Sequence, residues 1–270
     1  MKTMHSLTPQ ILEMVSFEID STETRYFQFR LMEPALFAAP LPGQFFMLSV
    51  PGHGEAAFTF ATPPDQHGQF DALIRSSGTL TRALFEIEPG RRLGIRGPFG
   101  CGWPIAELEN QRVLIVAGGC GLAPLNGLIE QLLVSEHCDQ LILVYGARTS
   151  AQQVLNSHRE RWNAQMQVTD VVEETDEGGT PLSIMPRLMA GWDEPPDRLL
   201  LCGPELMMQA TAQYFLAQGF PAKFIWASIE RRMHCAVGLC GHCYLEHQYA
   251  CTDGPTYRWD RLQPVLRQSA

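Results

Sequence analysis

Four of the chain's eight cysteines crowd into one stretch, "HCAVGLCGHCYLEHQYAC". Cys235 is followed after four residues by Cys240, after two more by Cys243, and after seven more by Cys251. A C-x4-C-x2-C run with a later fourth cysteine is the spacing by which one loop wraps a [2Fe–2S] core. Gly238 and Gly241 let that loop turn its backbone N–H groups toward the sulfurs, and such hydrogen bonds help set a cluster's potential. The competing reading is structural zinc. Only Cys240 and Cys243 form the C-x2-C pair that zinc sites favour, with His234, His242 and His247 near enough to complete a site. As solvated loop residues, the three histidines would carry no ligand role.

Two glycine-bearing turns supply a second kind of chemistry. "VLIVAGGCGLAP" reads as a buried strand, a turn over Gly118, Gly119 and Gly121, and the start of a helix. Glycines there permit close backbone approach, and a helix N-terminus favours phosphate. The pattern is not G-x-G-x-x-G, so a plain tight strand–helix turn accounts for it equally. In "LLLCGPELM" Cys202 ends a strand, and Gly203-Pro204 leads into a helix. Ligands of open α/β sheets sit at such carboxyl ends, although a small thiol there is often only packing. "YGAR" ends another strand and offers Arg148 to a phosphate or ribose, or to solvent. Glu173-Glu174, with Asp176 and Glu177, reads first as a solvated acidic loop.

Three kinds of segment must position these residues. The first hundred residues alternate in strand-like fashion over Leu12–Ile19, Thr24–Leu31, Gln44–Val50, Ala57–Thr62, Phe70–Arg75 and Arg92–Arg96, with turn-rich stretches between them. Six short strands predict a small six-stranded antiparallel barrel or sandwich over residues 1–103, interrupted by one helix at Thr79–Glu86. Residues 104–228 alternate strand and helix, with strands at 112–117, 140–146, 166–172, 198–203 and 222–228. They predict a five-stranded parallel sheet with crossover helices. Residues 229–270 hold the cysteines and no long periodic element. They read as a small lobe that needs a staple such as a metal.

Composition excludes several classes. The 270 residues are 45% hydrophobic and 18% charged, enough apolar side chain for a folded core. A formal charge of −9 gives no electrostatic reason to bind nucleic acid or anionic lipid. The longest near-apolar run, Val113 to Leu125, has 13 residues and is broken by glycines, too short to span a membrane. The N-terminal "MKTMHSLTPQILEM" lacks an apolar signal core, so a reducing, cytoplasmic setting without disulfides is expected.

The order of barrel, "VAGGCGLAP", "YGAR", "CGPELM" and four-cysteine tail resembles the ferredoxin–NADP reductase superfamily. The tail "ERRMHCAVGLCGHC…CTDGP" narrows the resemblance to one branch. That branch holds the electron-transfer subunits of dihydroorotate dehydrogenase and of anaerobic sulfite reductase, and the gamma subunit of cytosolic nickel–iron hydrogenases. "GEAAFTFAT" and "GPFGCGWP" are most similar to the hydrogenase gamma subunits. The resemblance implies FAD in the barrel, held by Phe58, Thr59 and Phe60, by Leu73, Ile74 and Arg75, and by the turn Gly78, Thr79, Leu80, Thr81. The family's flavin motif places an Arg where this chain has Ala56, and Arg75 is the cation nearest to compensate. It implies NAD(P)H on Gly118, Gly119, Gly121, Arg148, Cys202, Gly203 and Pro204, with hydride passing beside Cys202 and Thr59. Single electrons would then leave through a cluster on Cys235, Cys240, Cys243 and Cys251. The implied partners are iron–sulfur and catalytic subunits of a hetero-oligomeric redox complex. A zinc-stapled, nucleotide-sensing scaffold is the alternative of a different class.

Overall fold

The computed structural model describes residues 7–135, 138–175, 178–192 and 194–268. Residues 1–6, Asp176 and Glu177 lie outside the described residues. The chain divides into two compact units. One holds the residues up to Trp103, Ala123–Gly127 and Glu230–Thr256. The other holds Pro104–Leu122, Leu128–Ile229 and the residues from Tyr257 on. The tail is thus shared between the units, where the sequence suggests a separate lobe at 229–270.

The first unit is built on β1 (Gln10–Ile19), β2 (Thr24–Leu31), β3 (Phe45–Val50), β4 (Gly54–Thr59), β5 (Gln69–Arg75) and β6 (Arg92–Phe99), with α1 (Thr79–Phe85) between β5 and β6. All neighbours pair antiparallel, in the order β4-β3-β6-β1-β2-β5. Alternation does the sorting. In β2, Phe27, Phe29 and Leu31 are buried while the residues between them are partly exposed. Phenylalanines fill the core, with ring centroids 4.7 Å apart for Phe46 and Phe60 and 5.2 Å for Phe60 and Phe70. Tilted and edge-on rings at such distances pack favourably.

The second unit contains β7 (Arg112–Gly118), α2 (Ala123–Ser135), β8 (Gln140–Ala147), α3 (Asn156–Asn163), β9 (Gln167–Val172), α4 (Pro181–Ala190), β10 (Arg198–Cys202), α5 (Glu205–Ala217) and β11 (Ile225–Ser228). The strands β11-β10-β7-β8-β9 run parallel, and β7 and β10 are buried almost throughout, as a sheet covered on both faces requires. The sheet has one strand more than the five expected. After the short hairpin β12 (Tyr244–Leu245) and β13 (Gln248–Tyr249) and the turn of α6 (Ala250–Asp253), β14 (Thr256–Arg258) adds beside β11. The ten-residue α7 (Trp259–Gln268) follows. Three residues of strand give no readable period, and α7 carries Pro264 within it, so local pattern hides both.

Candidate functional site: a cysteine loop, a barrel edge and a sheet switch point

The cysteine loop belongs to the barrel unit. Its backbone turns with Ala236 at φ 62°, Gly238 at 75° and Gly241 at 80°. These left-handed turns aim N–H groups at sulfur. Val237, Leu239 and Cys240 donate to Cys235 Sγ at 3.5, 3.2 and 3.4 Å, and Gly238 donates to Cys251 Sγ at 3.3 Å. Residues 244–249, between Cys243 and Cys251, form the β12–β13 hairpin, closed by Ala250 N–H donating to Cys243 O at 3.0 Å. The hairpin brings the last cysteine back to the third. The backbone N–H bonds thus reach the first and the last of the four sulfurs. The backbone N–H of His242 leads in lowering the Cys240 thiol to about 7, whereas burial leads in pushing Cys251 up to about 12.

Two thiolates per iron is what a two-iron core needs, and inward N–H groups stabilise thiolate and sulfide charge. Among the described residues no three His, Cys, Asp or Glu side chains converge as a single ion would require. The rings of His234 and His242 lie tilted against each other with centroids 4.2 Å apart, and the His247 side chain is 80% exposed. The donor set fits an iron–sulfur cluster.

The barrel edge carries the residues expected for flavin. Phe58 and Thr59 end β4, an edge strand paired only to β3, and both are half-buried. Arg75 ends β5 at the other edge and is exposed, as is Thr79. Phe60, Leu73, Ile74, Leu80 and Thr81 are buried, so these five present mainly backbone to a ligand. The Thr81 hydroxyl accepts the N–H groups of Ser77 and Gly78, both at 2.9 Å, and so caps α1. A side chain at Gly78 would meet nothing within 4 Å, which leaves that turn open. An aromatic and a hydroxyl on an edge strand, an exposed cation and an open glycine turn fit a flavin with its phosphates, with Ala56 contributing no charge.

Sequence reading missed the ion pair beside Ala56. Glu55 faces Arg96 of β6, which donates through Nε at 2.9 Å and also through a terminal nitrogen. Burial pushes the Glu55 carboxyl up, but hydrogen bonds from Arg96 and Ser49 outweigh it and hold the group below its usual range. The available signal was an Arg inside an apolar strand, next to Ile95.

In the second unit the strand order reverses between β7 and β10, and the carboxyl ends of both strands lie side by side, with Cys202 opposite Ala117. That is where open α/β sheets bind dinucleotides. The glycines divide by task. A Cβ on Gly121 would lie 2.6 Å from the Cys202 carbonyl, one on Gly203 2.8 Å from Gly118 N, and one on Gly118 2.8 Å from Met207 Sδ. These three let the two strand ends pack together. Gly119, at φ 52°, has no neighbour in the direction of a Cβ and is the glycine open to a ligand. Cys202 is buried at 4% exposure, Gly203-Pro204 leads into α5, and Arg148 is exposed just beyond β8. Glu173 and Glu174 hydrogen-bond through their backbones to Ala147 and Arg148 at 3.0 Å, with exposed side chains.

Three family models match this division. The oxidoreductase FAD-binding domain matches residues 12–102, the oxidoreductase NAD-binding domain 115–213, and the iron–sulfur cluster binding domain of dihydroorotate dehydrogenase B 230–263. Fold and matches together define an oxidoreductase that combines flavin, dinucleotide and iron–sulfur binding. The probable dihydroorotate dehydrogenase B (NAD(+)), electron transfer subunit of Thermococcus kodakarensis is 32% identical, covering 88% of this chain and 92% of that one. Sulfhydrogenase 2 subunit gamma of Pyrococcus furiosus is 29% identical, covering 82% and 84%. A solved NADH-dependent reduced ferredoxin–NADP oxidoreductase chain shares the fold, with a TM-score of 0.75 at 24% identity over 95% of this chain and 92% of that one. The chain belongs to the family of flavin and iron–sulfur electron-transfer subunits that these relatives represent, on the ferredoxin–NADP reductase fold. Among the described residues no helix is long and apolar enough to cross a membrane.

Proposed function

We propose that this chain is the diaphorase subunit of a cytoplasmic multi-subunit redox enzyme, working as a gamma subunit does in a nickel–iron hydrogenase. The observation that carries the reading is the four-cysteine loop whose turns aim N–H groups at Cys235 Sγ and Cys251 Sγ, on the unit that also bears the flavin-type barrel. Cys235 with Cys240 would hold one iron of a [2Fe–2S] cluster, and Cys243 with Cys251 the other. Bound flavin supplies the conversion between two-electron hydride chemistry with NAD(P)H and one-electron transfer to the cluster.

The chain's residues bind and orient. Phe58 would lie along the flavin ring with the Thr59 hydroxyl at its edge. Arg75 and the Gly78–Thr81 turn would take the flavin phosphates, with Phe60, Leu73 and Ile74 as backbone walls. Gly119 would admit the dinucleotide phosphates, with Gly118 and Gly121 holding the turn closed behind it. Cys202, Gly203 and Pro204 would shape the nicotinamide end, and Arg148 would meet the ribose or phosphate end. No side chain in this set needs to act as a general base.

The relatives are named as subunits, so the terminal reaction would lie on a partner. The second reading, electron delivery to a dihydroorotate dehydrogenase, is favoured by the 32% identity to the Thermococcus subunit. Anaerobic absorption and electron paramagnetic resonance spectra of the purified chain, with NADPH and NADH added in turn, test the proposal. Flavin and cluster signals that one nucleotide reduces are expected. A colourless protein after reconstitution with FAD, iron and sulfide would overturn it. Isolation of the native complex would separate the two readings by the catalytic subunit recovered.

A further inference from the structure

Arg96 occupies an unusual position in the barrel. Ile95 points into the aromatic core and is fully buried, so by strand alternation Arg96 points to the opposite face. There its side chain is still only 5% exposed. A buried guanidinium needs a counter-charge and partners for its donors. Glu55, from β4, supplies the counter-charge through two hydrogen bonds, the planar fork meeting the carboxylate side-on. Two further bonds go to the cysteine loop, to the carbonyl of Cys235 at 3.1 Å and the carbonyl of His234 at 3.5 Å.

That anchor falls where the loop needs one. The next residue, Ala236, holds a left-handed φ of 62°, which an L-residue adopts at a cost. The peptide after Cys235 must keep that orientation for the N–H groups of Val237, Leu239 and Cys240 to reach Cys235 Sγ. The exit of the same strand restrains the other limb. Cys101 N–H donates to Gly254 O at 2.5 Å, and Cys101 Sγ approaches Thr252 O at 3.7 Å. Strand β6 and its exit thus grip the loop next to its first ligand candidate and next to its last.

We propose that Arg96 is a positioning residue for the iron–sulfur cluster: held by Glu55, it fixes the Cys235 limb, and the charge balance of the Arg96–Glu55 pair tunes the cluster's reduction potential. This rests on the reading of Cys235, Cys240, Cys243 and Cys251 as the ligands. Reduction adds negative charge to an already anionic centre, so a nearby cation raises the midpoint and an anion lowers it. In the intact pair the two charges largely offset each other. Glu55→Gln unmasks the cation, Arg96→Gln unmasks the anion, and Arg96→Lys keeps the charge but loses the fork.

The test uses the full holoprotein, with redox titration followed by electron paramagnetic resonance, and the rate of iron release to excess chelator. The midpoint should rise in Glu55→Gln, fall in Arg96→Gln and stay close to wild type in Arg96→Lys. Loss of the charge-assisted bonds to the loop should speed iron release roughly tenfold in both Arg96 variants. A merely loosened loop would not move the midpoint in opposite directions, and Glu55→Gln carries the test if Arg96→Gln does not fold. A cluster-loaded wild type whose variants share its midpoint and release rate overturns the proposal alone. A wild type that takes up no iron under reconstitution overturns the ligand assignment and the proposal with it.

Discussion

Among single residues, the glycines at the ends of β7 and β10 show how one residue type does two jobs. Gly121 is a packing glycine: its missing Cβ makes room for the backbone of Cys202 and Gly203, 2.6 Å from where that atom would sit. Gly119 faces open space, and its cost on substitution is conformational, from φ 52°. Gly121→Ala should therefore lose about 2 kcal/mol or more, because backbone must shift, and Gly119→Ala only about 1 kcal/mol. Urea unfolding of the two variants beside wild type measures this, and a larger loss in Gly119→Ala would contradict the division. Tyr145 is a third residue with a local task. Its hydroxyl accepts the Val154 N–H at 3.0 Å, and burial raises its pKa to about 12, so it stays neutral throughout the working pH range.

Between elements, the opposite ends of β7 and β10 are clasped by charge. Arg112 donates to Asp197 from its backbone at 2.9 Å and from its guanidinium at 2.9 and 3.0 Å, while Asp197 N–H returns a bond to Arg112 O at 2.8 Å. The side-chain bonds from Arg112 lead in lowering the Asp197 carboxyl below its usual 3.8. A carboxyl held lower in the folded chain than in the unfolded one stabilises the fold fully above the unfolded value. That contribution drains as pH falls through the folded value. Asp197→Asn should therefore lower stability at neutral pH and flatten the fall in stability below about pH 4. Denaturant unfolding at a series of pH values checks it, and an unchanged acid limb would show that the clasp is not coupled to folding.

For the molecule as a whole, the division of the tail decides where cluster loss is felt. Residues 230–256 lie with the barrel, held by β6 through Arg96 and Cys101, while Trp259, Leu262, Val265 and Leu266 are buried in the α/β unit. Removing iron leaves the loop's turns without their central tie, since metal binding energy is also folding energy for such a segment. Hydrogen exchange should then rise in 230–256 and along β6, while β7, β8 and β10 keep their protection. Uniform loss of protection across both units would mean that the cluster stabilises the chain globally.

The cysteine spacing, the alternation of Phe27, Phe29 and Leu31, and the buried runs of β7 and β10 were legible in the sequence. Each depends on the chemistry or periodicity of neighbouring residues. The glycine turns were legible as turns, but not which glycine packs and which stays open, because that depends on what a Cβ at Gly121 or Gly119 would meet. Arg96 and Glu55 lie 41 residues apart, and Arg96 and Cys235 139 apart, so no window of sequence joins them. The bond from Ala250 N–H to Cys243 O that closes the hairpin, and the place of β14 beside β11, exist only in the fold. Local pattern therefore determined the kinds of element and the cysteine loop. Tertiary structure alone decided which sulfurs the N–H groups meet, what grips the loop, and where the tail divides, since burial and long-range hydrogen bonding exist only once distant segments have met.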